Sequence, residues 1–151
     1  MIKKYIPKYY LDNICSFISK DLDISMGIVH GDYHPGNIIM NKSPKIIDWG
    51  RSRLGDIAFD IGYFAYSATC GTYGTFNRKG LKSLSTAIKN NFSEKTVFKA
   101  TQYYLYSLLL DIPWLVKESR ELMGSVPYNG ESIIKRSLEI ISNGEEKWIL
   151  E

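Results

Sequence analysis

The sequence predicts a mainly α, α+β domain bearing one small β-hairpin, and three observations carry that prediction. Apolar residues recur at helical spacing over most of the chain, two β-rich triplets flank a four-residue turn in the N-terminal third, and no internal repeat or low-complexity segment interrupts them. With 151 residues, 44% of them hydrophobic and 23% charged, the chain can bury a packed core without metals or disulfides and reads as a single domain over 1–151. Cys15 and Cys70 form no closely spaced framework and read as core thiols. A formal net charge of +3, with basic residues scattered singly or in pairs, lacks the cluster that binding nucleic acid by phosphate neutralisation requires. The basic start at Met1–Pro7 has no apolar run behind it, and the most apolar stretch, 103–116, is broken by Ser107, Asp111 and Pro113, short of the roughly 20 residues that span a bilayer. The expectation is a cytoplasmic protein with neither nucleic acid nor membrane as partner.

Residues Pro7–Asp21 place Leu11, Ile14, Cys15 and Ile18 on one helical face. Gly27-Ile28-Val29 reads as a short strand leading into a polar loop, 30–37, whose glycines and proline forbid regular structure. Ile38-Ile39-Met40 and Lys45-Ile46-Ile47 then form the hairpin around Asn41-Lys42-Ser43-Pro44. From Asp56, placed as N-cap, the period becomes helical, and residues 56–151 read as a helical remainder. Its helices show Ile57, Ile61, Phe64, Ala65 and Ala68 on one face, then Leu81, Leu84 and Ile88, then Val97, Ala100, Tyr104 and Leu108 behind a Ser93 cap. Two more are expected, one over Pro113–Met123 and one over Glu131–Asn143 closed by Gly144. Trp49 and the tyrosines at 103, 104 and 106 read as core aromatics, with the tyrosine hydroxyls at the core's edge.

The hairpin is also where chemistry concentrates. Asn37 enters its first strand and Asp48 leaves its second, so antiparallel pairing brings an amide oxygen and a carboxylate together. Such a pair of hard oxygens suits Mg²⁺, which keeps few protein ligands and fills its octahedron with water and phosphate oxygens. Asp32, at the other end of the loop, can orient a substrate hydroxyl and accept its proton. An Asp followed after four intervening residues by Asn, with a second Asp-x-Gly downstream, is the catalytic-loop spacing of phosphoryl transfer, met here by Asp32, Asn37 and Asp48-Trp49-Gly50.

Three segments in order, His30-Gly31-Asp32-Tyr33-His34-Pro35-Gly36-Asn37-Ile38, Ile46-Ile47-Asp48-Trp49-Gly50 and Gly55-Asp56-Ile57-Ala58-Phe59-Asp60-Ile61, resemble the aminoglycoside phosphotransferase and choline kinase family. The resemblance implies the C-terminal catalytic lobe of a protein-kinase-like fold. It further implies Asp32 as catalytic base, Asn37 and Asp48 as ligands of Mg²⁺, and ATP or GTP as phosphoryl donor to a hydroxyl of a small-molecule acceptor, with cationic amines among the compatible classes. His30 and His34 would support the loop, and Asp56 and Asp60 would be an acidic pair supporting it from the following helix. Trp114 and Glu118 lie where substrate-binding helices are expected.

A complete kinase of this type also has an N-terminal lobe with a phosphate-covering loop and a strand Lys paired to a helix Glu. The 31 residues before Asp32 read as one helix and one strand, and Gly71 and Gly74 follow a helix, so that ATP-clamping lobe is expected to be absent. A homodimer or an N-lobe partner would then cover the exposed face. Two alternatives stand beside this reading. One is a non-catalytic kinase-like binding module. The other is a metal-dependent hydrolase in which His30, Asp32 and His34, alternating along an extended segment, hold the metal.

Overall fold

A computed structural model describes residues 12, 24–69 and 78–121, with backbone alone at 78, 109 and 111–121. Apart from residue 12, which is helical, the predicted helix over 7–21 lies outside the described residues, as do the one over 131–143, both cysteines, Gly71, Gly74, Gly144 and the side chains of Trp114 and Glu118.

The described residues are mostly helical with two small antiparallel sheets where the sequence predicted one hairpin. Strand β1 (Met26–Val29) pairs with β4 (Arg53–Asp56), Met26 opposite Asp56 and Val29 opposite Arg53. Arg53-Leu54-Gly55-Asp56 has little intrinsic strand preference, so its pairing comes from the tertiary context and was not readable locally. The predicted hairpin forms from β2 (Ile38–Ile39) and β3 (Lys45–Ile46), Ile38 opposite Ile46. Single-turn 3-10 helices over Pro35–Asn37 and Trp49–Arg51 flank its open end.

Three helices follow: α1 (Ala58–Thr69), α2 (Arg78–Asn91) and α3 (Glu94–Glu121). Asp56 is the last residue of β4 rather than the N-cap, yet its Oδ1 still accepts the Ala58 N–H at 3.1 Å and so caps α1 from the strand end. Ser93 caps α3 as the sequence predicts, its Oγ accepting the Thr96 N–H at 3.2 Å. No break occurs at Pro113, where the sequence predicted a new helix: α3 runs through it to Glu121. A proline deletes one donor and crowds one carbonyl, a penalty confined to a single turn of a long helix.

The core joins Ala65 and Tyr66 of α1, Leu81 and Ile88 of α2, and Val97, Tyr104, Leu105 and Leu108 of α3. The α2 and α3 faces follow the predicted periodicity, except that Tyr106 is exposed, whereas on α1 the buried residues are Ala58, Gly62, Ala65, Tyr66 and Thr69, and the predicted Ile57, Ile61, Phe64 and Ala68 are half-buried. Helices α1 and α3 touch closely at Gly62, where an added Cβ would lie 2.7 Å from the Tyr103 Cβ. Among the described residues, no helix is long and apolar enough to cross a membrane.

Candidate active site

The polar loop between β1 and β2 is clamped from α1. Asp60, in the first turn of that helix, accepts the His30 N–H at 2.6 Å on one carboxylate oxygen and the Gly31 N–H at 3.0 Å on the other. His30, 2% exposed, has a neighbour at each ring nitrogen: Nε2 lies 2.8 Å from the Ile47 carbonyl, and Nδ1 accepts the Asp32 N–H at 3.3 Å. A carbonyl can only accept and an N–H can only donate, so both bonds are satisfied by the tautomer with its proton on Nε2. Gly31 has φ +81°, and an added Cβ there would strike the Arg51 carbonyl, so the turn that swings Asp32 out of β1 requires glycine.

The Asp32 carboxylate, 21% exposed, is reached by three donors. Tyr63 of α1 donates its hydroxyl to Oδ1 at 3.3 Å, Arg51 Nη1 stands 3.7 Å from Oδ2, and His34 Nε2 lies 4.0 Å from Oδ1. His34 also accepts the Gly36 N–H on Nδ1 at 3.1 Å, shaping the 3-10 turn that delivers Asn37.

Asn37 is buried and donates its side-chain amide to the Asp32 carbonyl at 2.9 Å, which turns its oxygen away from that carbonyl. Its own carbonyl accepts the Ile47 N–H at 3.0 Å, so Asp48 stands one residue beyond the position opposite Asn37. Asp48 is exposed and is the sole non-glycine residue with positive φ among those described, at φ 61° and ψ 60°. A left-handed conformation is costly for most residues and tolerated by Asp. Asn37 and Asp48 thus flank the hairpin's open end, each at the edge of a 3-10 turn. Among the described residues, no group of three or more His, Cys, Asp or Glu could hold a metal.

The hydrolase triad is accordingly not assembled. Gly31's positive φ ends the alternation that the triad needs, and both ring nitrogens of His30 are turned to backbone groups. Trp49, predicted as a core aromatic, is 46% exposed, its indole N–H bonded to the Ile46 carbonyl at 3.0 Å and its ring 4.7 Å from that of His30. It forms a rim over His30.

A second cluster lies behind the loop. Asp56 Oδ2 pairs with Lys99 Nζ at 3.1 Å, both side chains buried, and Tyr103 hydrogen-bonds the same carboxylate. Burial first, then the Asp56 charge and hydrogen bond, raise the Tyr103 hydroxyl above its ordinary 10.0, with Arg53 pulling the other way. The folded state therefore holds that proton more tightly than the unfolded chain. Its contribution is constant below pH 10.0 and is lost as pH rises through the higher folded value. Alkaline unfolding followed by circular dichroism is expected to be shallower above that pH in Tyr103→Phe, and an identical profile would contradict this assignment.

Sequence reasoning missed Tyr63, Arg51, Lys99 and Tyr103. Tyr63 was within reach, because it follows Asp60 by three residues on one helix face and so points to the same loop. Lys99 and Tyr103 share a face four residues apart, but nothing in a single sequence aims that face at Asp56. Residues 17–83, which span the loop, the hairpin and α1, match the model of the phosphotransferase enzyme family. None of the curated proteins compared matches the chain.

Proposed function

We propose, from a family match that supports membership of the aminoglycoside phosphotransferase and choline kinase family, that this chain is the catalytic lobe of a small-molecule kinase. The lobe of a protein-kinase-like fold, so read, moves the γ-phosphoryl of ATP or GTP to a substrate hydroxyl. The observation that carries the reading is the placement of Asp32: its backbone is held by His30 and Asn37, and its carboxylate stays partly open beside Tyr63. Asp32 orients the acceptor hydroxyl and takes its proton. Asn37 and Asp48 are the residues that would hold Mg²⁺, which when bound neutralises phosphate charge. His30, His34, Asp56 and Asp60 keep these groups in place, which matters because catalysis of this kind is mainly positioning and electrostatics.

The phosphate-covering half is supplied, in this reading, by an N-lobe from a partner or from elsewhere in the polypeptide, and the reaction belongs in the cytoplasm. Aminoglycosides, choline-like amines, amino acids and sugars are the acceptor classes to screen by ³¹P NMR with Mg-ATP and Mg-GTP. Phosphorylation of a hydroxyl acceptor supports the proposal. Intact nucleotide binding with no transfer to any class, once the covering half is present, contradicts it. Asp48→Asn is expected to weaken Mg²⁺-dependent nucleotide binding roughly tenfold or more, since even groups outside a metal's ligand sphere contribute on that scale. Unaltered metal dependence in a calorimetric titration would remove Asp48 from the site.

A second reading, the non-catalytic binding module, draws on one observation. Met26, Ile28 and Leu54 are 64%, 73% and 74% exposed on paired strands β1 and β4, an apolar face suited to a partner or a second copy. Preserved partner binding in an Asp32→Asn variant, without any phosphoryl transfer by the parent, would favour it.

A further inference from the structure

The Lys99–Asp56 pair is nearly dry, the two side chains 5% and 3% exposed. Replacing a buried ion pair with apolar residues of similar volume is often neutral or stabilising, so stability alone is a weak reason for keeping one. Its location offers another. Asp56 stands at the junction of β4 and α1, its Oδ1 on the Ala58 N–H and its Oδ2 on Lys99 of α3. One helical turn further, Asp60 holds the His30 and Gly31 N–H groups with both carboxylate oxygens. Helix α3 is thus tied to the start of α1, and the start of α1 to the loop carrying Asp32. Tyr103 adds a second α3 donor to Asp56.

We propose that Lys99 is a positioning residue for the loop at 30–37: through Asp56 it fixes the first turn of α1, so that Asp60 holds His30 and Gly31 in register. Its bearing on catalysis rests on the reading of Asp32 as the base. Lys99 touches no reacting group and acts only through Asp56.

Amide hydrogen exchange followed by NMR on the full chain tests this directly. In Lys99→Met, the His30 and Gly31 amides are expected to exchange about tenfold faster than any change at the Leu81 and Ile88 amides accounts for. That variant strands a buried carboxylate, so the double variant Asp56→Asn with Lys99→Met is measured beside it. The double variant buries no charge, and the Asn oxygen can still cap Ala58. There the core amides are expected at wild-type rates while His30 and Gly31 stay fast. Loop amides at wild-type rates in the double variant, or loop and core accelerating by one common factor, would overturn the proposal. Exchange needs neither nucleotide nor acceptor, so a failed kinase reading leaves this test intact.

Discussion

Asp32→Asn is expected to lower phosphoryl transfer in the completed enzyme by ~10²–10⁴-fold, the usual contribution of a positioned proton acceptor, with the melting temperature nearly unchanged. The two expectations separate because different atoms of Asp32 do different things. Its backbone N–H binds His30 and its carbonyl accepts the Asn37 amide, and both bonds survive the substitution. Asn can also still accept the Tyr63 hydroxyl, which reaches Oδ1 at 3.3 Å. What is lost is the negative charge and the capacity to take a proton, together with the partner of Arg51, whose exposed side chain makes that pair weak in any case. Retained turnover would sink the base assignment, and a large drop in melting temperature would mean that the carboxylate holds the loop together.

Gly62→Ala is expected to destabilise the fold by about 3 kcal/mol, the upper end of overpacking costs. Local propensity argues the other way, since Ala is better than Gly inside a helix by roughly 1 kcal/mol. Packing wins because of what the new methyl meets. It would lie 2.7 Å from the Tyr103 Cβ and 2.9 Å from the Tyr104 backbone nitrogen, and against the Ala100 carbonyl. These are backbone or backbone-proximal atoms, so no side chain can swing aside and the two helices must part. For a chain of this size the melting temperature is expected to fall by roughly 6–12 °C. Moving α1 away from α3 also pulls Asp56 from Lys99, so the site should loosen with the core. An unchanged melting temperature would show that the helices tolerate separation at this point.

Both expectations rest on tertiary contacts, and that is where the sequence stops being readable. The periodicities that place Ala65, Leu81, Ile88, Val97 and Leu108 inward are local, and so are the Ser93 cap and the turn at Asn41–Pro44. The hairpin itself was legible for the same reason, and its pairing sets Ile47 opposite Asn37 with Asp48 next along the chain. Strand β4 was not legible, because Arg53–Asp56 becomes a strand only when β1 lies beside it. Nor was Lys99, since an ion pair spanning 43 residues leaves no trace in spacing. The helix boundary predicted at Pro113 does not form, because a long helix can absorb one missing hydrogen bond. The misplacement of Trp49 came from equating aromatic with buried, although a ring beside a turn can seat on a histidine and keep its other face open.

On the proposed function, Asn37 and Asp48 make the end of the hairpin a magnesium-dependent nucleotide site beside Asp32. The most direct measurement is a calorimetric titration of Mg-ATP, and separately Mg-GTP, into the folded chain, repeated with EDTA. Saturable binding that disappears when the metal is chelated and weakens in Asp48→Asn is expected. Binding of equal strength with and without Mg²⁺ would contradict it.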